Sequence, residues 1–521
     1  MAVTAALLSS AGAREVETGH AVRSYCSQAR LYPSLYQINT RVRMTELSRI
    51  LNRPAILDDI ADQELDRLAM DGFDWVWFVG VWQTGAAGRK VSLENAEWRR
   101  EFQELLPDFS DQDVCGSPFA IRSYTVHSDF GGNPALERLR ARLNKRGVHL
   151  MLDFVPNHTA PDHPWVQQHT EYYVHGSEEQ LEREPENYTR VRTSTGHTVL
   201  AYGRDPYFAG WPDTLQLNYA NTALQEAMAA TLESIAGMCD GVRCDMAMLI
   251  LPDVFEKTWG LRPPSFWPNG IQRARLRNPG FLLMAEVYWD LEWTLQQQGF
   301  DYSYDKRLYD RLRDRQARPV REHFRADLDY QRKSARFLEN HDEPRAAATF
   351  PPGTYETAAV LTYLCPGLRF FHQGQFDGLM KKIPVHLCRG PVEITNPDLR
   401  HFYDRLLSCI RHPVVREGDW QLLECAAAWE GNWTWDCFIC FGWHGLDRSP
   451  LAIVVNYASN QSQCYLRLPF EEIRGKRIGL RDLIGSAMYD RNGDEIRSRG
   501  LYLDLPAWGY HVFELTAEGD Y

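Results

Sequence analysis

The feature that most restricts the fold of this chain is a recurring pattern. A short apolar run ends in a polar residue with chemistry to offer, and an amphipathic helical stretch follows. Leu35-Tyr-Gln-Ile-Asn39 and Phe73-Asp-Trp-Val-Trp-Phe-Val79 read as buried strands. Between them, residues 65–70 have helical spacing that stops at Asp71-Gly72. Apolar strands alternating with helices mark parallel βα units. The pattern repeats. Leu136, Leu139 and Leu143 line one side of a helix over 134–146, and residues 148–154 form the next strand. Asn221 opens a helix that leads to a strand at 241–245. Strands over 281–286, 300–304, 336–340 and 367–371 complete a set of eight. Such alternation over about 350 residues fits a closed parallel barrel better than an open sheet.

Two insertions interrupt the pattern. Residues 84–115 form a polar, helix-rich loop after the second strand, and residues 159–210, rich in His, Tyr, Glu and Thr, follow the third. After residue 411 the texture changes. Segments such as Leu451-Ala-Ile-Val-Val-Asn456 and Tyr510-His-Val-Phe-Glu-Leu515 alternate like antiparallel strands, and Asn492-Gly493 has the composition of a hairpin turn. The expected organisation is a lead-in over 1–30, a barrel over 31–411 with its insert at 159–210, and a C-terminal β-sandwich over 412–521.

Four motifs bring acids or imidazoles to the ends of these strands. They are Asp153-Phe-Val-Pro-Asn157-His158, Gly241-Val-Arg243-Cys-Asp245, Ala285-Glu286-Val-Tyr288 and Phe337-Leu-Glu-Asn340-His341-Asp342-Glu-Pro-Arg345. The C-terminal rim of a barrel gathers distant parts of a chain into one pocket. Breaking an acetal needs a proton for the leaving oxygen and negative charge near the carbon that becomes cationic. Arg243 lies two residues before Asp245, on the same strand face, and a guanidinium there favours an ionised carboxylate. Glu286 ends the apolar run Phe281-Leu-Leu-Met-Ala, so its proton should be held more tightly. The bland alternatives are a rim ion pair for Arg243 and Asp245, a helix cap for Glu286, and core histidines for His158 and His341.

Order and spacing decide between these readings. The set resembles the α-amylase family of glycoside hydrolases and transglycosylases, whose members are built on a (β/α)8 barrel with a small domain inserted after the third strand. The resemblance covers residues 30–410. It implies Asp245 as nucleophile, Glu286 as acid/base and Asp342 as stabiliser of the transition state. It also implies His158, His341 and Arg243 in contact with the sugar, and Arg345 supporting Asp342 or the substrate. Asn157 matches a calcium ligand of many members; a loop-fixing hydrogen bond is the alternative. Phe119, in Gly116-Ser-Pro-Phe119, stands where the family usually has a stacking tyrosine, and Trp211-Pro-Asp213-Thr-Leu-Gln216 resembles a further short motif of the family.

There are departures. Met248-Leu249 replaces the Lys-His of starch-cleaving amylases, and Phe371-His-Gln-Gly-Gln375 replaces Tyr-Tyr-Gly-x-Glu. A preference for short α-glucosides over starch is expected from these changes. The implied activity is retaining hydrolysis of α-glucosidic bonds in oligo- or polysaccharides, with transglycosylation or phosphorolysis as the alternative. A catalytically silent sugar-binding relative would have lost one of the three acids.

The formal net charge of −12 argues against nucleic acid as the main partner. The 11 cysteines show no paired spacing, and Cys239, Cys244, Cys365, Cys437 and Cys440 sit in apolar runs, which suggests buried free thiols and a reducing, cytoplasmic setting. Residues 1–13 lack the basic start of a signal peptide, and no apolar run is long enough to span a membrane. No cofactor is expected for the chemistry itself.

Overall fold

The computed structural model describes residues 31–193, 196–445 and 448–517, so the expected lead-in at 1–30 lies outside the described residues. Eight strands close a parallel barrel: β1 (Ser34–Asn39), β2 (Trp75–Val79), β3 (His149–Phe154), β4 (Gly241–Cys244), β5 (Leu282–Ala285), β6 (Tyr302–Tyr304), β7 (Ser334–Arg336) and β8 (Leu368–His372). They neighbour one another in chain order, with β8 returning to β1.

The helices between them start and stop as their ends dictate. Asn221 caps Thr222–Ala236 by accepting from the backbone N–H groups of Ala223 and Leu224. Gly132–Asn144 buries Leu136, Leu139 and Leu143 against the barrel, and Gly147, at φ 71°, turns the chain into β3. The seventh strand is shorter and earlier than its apolar character suggests. It ends at Arg336, whose partner on β8 is Arg369, and Phe337–Asn340 continue as buried chain, bent at Leu338, outside the strand. Burial by the aromatic neighbours Tyr304, Tyr309 and Phe370 around Phe337 explains the misleading strand-like pattern.

The first insert carries two helices, Ala86–Glu94 and Ala96–Leu105. Phe102, Leu106 and Val114 share a small core with Leu387 from beyond β8, closed by the Arg389–Asp113 ion pair. The second insert holds short helices and a hairpin of Tyr188–Thr193 with Gly196–Ala201.

The C-terminal part pairs a six-stranded antiparallel sheet with a three-stranded one. Cys440, Val454 and Phe513 from the first meet Cys464, Leu466 and Leu503 from the second in one core, which makes it a sandwich. Asn492-Gly493 is not a hairpin turn. Asn492 ends a strand, and its side chain caps the helix Gly493–Arg499. A Cβ on Gly493 would lie 1.8 Å from the Ile473 carbonyl, so glycine serves close approach rather than a turn. Trp435 and Cys437 belong to a single 3-10 turn, and the strand begins at Phe438. The sandwich docks on the barrel through Trp443, whose Nε1 donates to Leu364 O at 2.7 Å. All ten described cysteines are free thiols. No helix among the described residues is long and apolar enough to cross a membrane.

Candidate active site

Strand register brings the acids together. Arg243 on β4 pairs with Asp153 on β3 and Met284 on β5. Two residues further along both strands come Asp245 and Glu286, level at the barrel rim. Backbone bonds fix that level: Asp245 N donates to Phe154 O at 2.8 Å, and Glu286 N to Cys244 O at 3.0 Å.

One guanidinium then meets three carboxylates. Arg243 Nη1 donates to Asp245 Oδ1 at 2.5 Å. Its Nη2 lies 2.7 Å from Glu286 Oε2 and 3.8 Å from Asp342 Oδ2. Arg243 is only 1% exposed, boxed by the rings of Phe119, Trp77 and Tyr304 at 5.1, 5.4 and 5.9 Å. Charge is therefore unbalanced in a poorly solvated place.

Glu286 carries the consequence. Burial raises its carboxyl to about 8; the Arg243 guanidinium opposes the rise, and the negative charges of Asp245 and Asp342 add to it. Its two oxygens are held separately. Met246 N donates to Oε2 at 2.7 Å, and Tyr288 OH donates to Oε1 at 2.9 Å. Met246 reaches that position only with φ at 41°, a left-handed backbone that a long side chain rarely adopts.

Asp342 sits on a turn made by Asn340, whose Oδ1 accepts from Asp342 N and Glu343 N at 2.8 and 2.9 Å. Its side chain is 38% exposed, the most open of the three acids. Desolvation would raise its pKa, but His341, Arg243 and Lys382 leave it below the usual carboxylate range. The Lys382 ammonium also donates to Asp342 O.

Burial disfavours the charged form of both histidines. Burial pushes His341 down to about 3, and Gln37 Nε2 donates to its Nδ1 at 2.8 Å, so the proton is on Nε2, 3.0 Å from Asp342 Oδ2. Burial likewise lowers His158, against the nearby Asp245 charge. Its ring packs 5.3 Å from Trp211. Phe119 lies against both Arg243 and the His341 ring, 5.4 Å away.

Asp245, Glu286, Asp342, Arg243, His341 and Phe119 thus converge, with His158 beside Asp245. Arg345 does not support Asp342. Its Nη1 donates to Glu339 Oε1 at 2.6 Å and to Gln373 O at 2.7 Å, and lies 3.0 Å from His372 Nδ1. The buried Glu339, one residue before Asn340, claims the guanidinium first. Gln375 is satisfied by the hydroxyls of Tyr363 and Tyr403.

Asn157 is tied to the segment that follows the insert. Gln216 Nε2 donates to Asn157 Oδ1 at 2.9 Å and to its carbonyl at 3.0 Å. Among the described residues, no group of three or more His, Cys, Asp or Glu could hold a metal ion.

Sequence reasoning passed over Gln37, Tyr288, Tyr304 and Lys382. Gln37 and Tyr304 lie on barrel strands and Tyr288 two residues beyond Glu286, and a polar group on or just after a barrel strand was an available signal. Lys382 lies in a loop that carries no pattern.

The site is one of buried, coupled acids with neutral hydrogen-bond donors, suited to proton transfer and attack at a neutral, hydroxyl-rich substrate. Its fold has close counterparts. The structure superimposes on a maltogenic alpha-amylase, AmyB from Thermotoga neapolitana, with a TM-score of 0.66 at 19% identity, covering 93% of this chain and 98% of that one. The family described as "Alpha amylase, catalytic domain" matches residues 117–396, more than half of the chain. The chain belongs to the alpha-amylase family. It is 23% identical over 306 residues to Alpha-amylase 3 of Dictyoglomus thermophilum, covering 54% of this chain and 57% of that protein. It is 30% identical over 172 residues to the trehalose synthase/amylase TreS of Mycobacterium tuberculosis, covering 29% and 26%. The matched regions therefore span little more than half of the first relative and about a quarter of the second.

Proposed function

We propose that this protein is a retaining α-glycoside hydrolase acting on α-glucosidic bonds of oligo- or polysaccharides. The observation that carries the reading is the single Arg243 guanidinium that reaches Asp245, Glu286 and Asp342 together. Asp245 attacks the anomeric carbon as Glu286 gives its proton to the leaving oxygen. The glycosyl-Asp245 ester is then hydrolysed by water, from which Glu286 takes a proton back. The raised Glu286 carboxyl supports the acid role, since it holds a proton near neutral pH. Asp342 and the Nε2–H of His341 face the same space and bind hydroxyls of the sugar at the cleavage point; His158 and Phe119 complete that wall. Arg345 acts through Glu339 and His372 rather than on Asp342.

Transfer to a sugar acceptor is the second reading. It is supported by the match to a protein named trehalose synthase/amylase and by another, from Salinibacter ruber, named as a maltosyltransferase, 29% identical over 150 residues. The free thiols support a reducing, cytoplasmic setting. The Gln216 amide on Asn157 favours a loop tie over a calcium ligand there.

The test is a panel of α-linked gluco-oligosaccharides and starch, with and without phosphate or added acceptor sugars, followed by product analysis. A fluorinated glycosyl fluoride that traps the covalent intermediate should label Asp245 in a peptide digest. No product from any substrate, together with no label, sinks the proposal. Soluble starch turned over more efficiently than di- and trisaccharides would overturn the expected preference for short substrates.

A further inference from the structure

We infer that Cys425 and Cys440 are a peroxide-reactive thiol pair, oxidised to a disulfide that joins the two sheets of the C-terminal sandwich. The co-substrate is hydrogen peroxide or another small hydroperoxide. The inference stands apart from the glycosidase reading.

Position comes first. The chain changes sheet just before Cys425. Asp419–Leu422 pairs with Phe438–Gly445 in the six-stranded sheet, and Leu423 N still donates to Cys440 O at 2.8 Å. Two residues later, Cys425 pairs with Leu466 in the three-stranded sheet. Its Sγ lies 3.6 Å from Cys440 Sγ, so two thiols from different sheets touch where the chain crosses between them. Cys464, on the same sheet as Cys425, is the third thiol of the group.

The three thiols are not equivalent. Cys440 and Cys464 are fully buried, and Cys425 is half-buried. A thiol in apolar surroundings is inert, and one beside a cation is reactive. Burial pushes the Cys440 thiol up, and hydrogen bonding to Cys425 does the same to Cys464. Cys425 goes the other way. Hydrogen bonds from Cys440 and Cys464 hold its thiol well below the usual range, and the Arg321 guanidinium adds to this against burial. Arg321 comes from the barrel helix Ala317–His323, and its Nη1 donates to the carbonyls of Asp436 and Phe438 at 2.8 and 3.0 Å. The barrel thus supplies the cation that activates a sandwich thiol.

The chemistry follows from this order. The Cys425 thiolate attacks one peroxide oxygen, the O–O bond breaks, and hydroxide leaves to become water by taking up a proton. Cys425 is then a sulfenic acid. The Cys440 sulfur attacks the Cys425 sulfur, the S–O bond breaks, and a second water leaves with the Cys440 proton. Two thiols lose two electrons, and one peroxide becomes two waters. The sulfurs must close from 3.6 Å to about 2 Å. Cys425 can move that far, because it sits on a two-residue strand at the edge of its sheet. The bond closes a loop that carries the exposed Trp429 and Trp433 and staples the sheets at their crossover.

The experiment treats the wild-type protein with hydrogen peroxide, blocks the remaining thiols with N-ethylmaleimide and digests without reductant. Cleavage after Glu424, Glu430 and Arg448 puts Cys425, Cys440 and Cys464 on three separate peptides. The expected result is a Cys425 peptide linked to the Cys440 peptide and a loss of two of the 11 thiols. The melting temperature should rise by several degrees, and dithiothreitol should reverse the rise. Cys425→Ser should abolish both the link and the rise. Cys437→Ser and Cys464→Ser should keep the link, the first of them showing that Cys440 and not Cys437 is the partner on the shared peptide. Oxidation of Cys425 without a link, a link to Cys464, a Cys425 that stays open to N-ethylmaleimide, or a link that leaves the melting temperature unchanged overturns the inference.

Discussion

Two buried arginines anchor opposite ends of the barrel, and they are paired in opposite ways. At the N-terminal end, Arg416 Nη2 donates to both oxygens of Asp74 at 2.6 and 2.7 Å, and Ser34 N donates to Asp74 Oδ2 at 2.8 Å. There the carboxylate meets cations in excess, because the buried Arg369 guanidinium is nearby as well. At the C-terminal rim, Arg243 faces three carboxylates. A bidentate pair with further hydrogen bonds is a way of tying strand ends together. Three acids around one cation cannot all ionise without cost, so one keeps its proton. The difference separates a structural ion pair from a site built to move a proton. The Glu339–Arg345 pair near β7, with His372 beside it, belongs with the first kind despite its place at the rim.

The sharpest way to break this comparison is to neutralise one acid at each end. Asp245→Asn should lower kcat about 10⁴-fold or more, because an amide is a poor nucleophile. Its melting temperature should stay close to that of the wild type, since Arg243 keeps Glu286. Asp74→Asn should do the reverse. It leaves Arg416 buried without its carboxylate and should cost about 3–5 kcal/mol of stability, while the folded fraction turns over normally. A stable Asp74→Asn protein, or an active Asp245→Asn protein, would show that charge balance does not sort the two ends.

The next effect is on pH dependence. In the proposed mechanism Glu286 acts as an acid only while protonated, so kcat/KM should fall as pH rises through about 8, the value to which burial raises it. Glu286→Gln should remove that alkaline limb and lower kcat/KM about 10²–10⁴-fold on substrates whose leaving group needs a proton. Linkage gives the sign for stability. The folded protein holds the Glu286 proton to higher pH than the unfolded chain, so this group's stabilisation is full below about 4.5 and is lost as pH rises toward 8. Melting curves of Glu286→Gln against the wild type over that window should converge at the acid end and separate at the alkaline end. Curves that stay parallel would contradict the raised carboxyl.

A smaller change should come from Tyr288→Phe. The hydroxyl donates to Glu286 Oε1, a bond that favours the ionised carboxylate. Its loss should move the alkaline limb to higher pH and lower kcat several-fold. A limb that stays in place, or moves to lower pH, would show that Tyr288 only packs there.

Much of this site was legible in the sequence because β-strand chemistry is local. An acid at the end of a buried run, with an arginine two residues before it, already predicts a shared face, and register does the rest for Asp245 and Glu286. Order among the four motifs supplied what single residues lacked. Competition for partners was not legible. Arg345 lies three residues from Asp342, yet the buried Glu339 takes it, and only folded coordinates show which acid is nearer. Asn492-Gly493 misled for the same reason, because a side chain that caps a helix looks like one that makes a turn. The end of β7 was hidden by burial, since Phe337 and Leu338 are as apolar as strand residues but have no strand to pair with.

The smallest expected effect concerns Asn157, where a structural pairing and a metal ligand compete for the same oxygen. Gln216 is fully buried, and its amide reaches Asn157 Oδ1, Asn157 O and Leu217 O at 2.9, 3.0 and 3.1 Å. These bonds join the β3 loop to the segment after the insert at the point where His158 pairs with Gln216. A calcium ion on Asn157 would need several further oxygens at short range, and it would have to share or displace that amide. Prolonged treatment with a chelator, followed by thermal melting and an activity assay, should therefore change neither quantity measurably. Gln216→Leu should destabilise by about 1–3 kcal/mol, the cost of leaving buried carbonyls without a donor. A fall in melting temperature on chelation that added calcium restores would place the ion at this loop and make the Gln216 bond secondary to it.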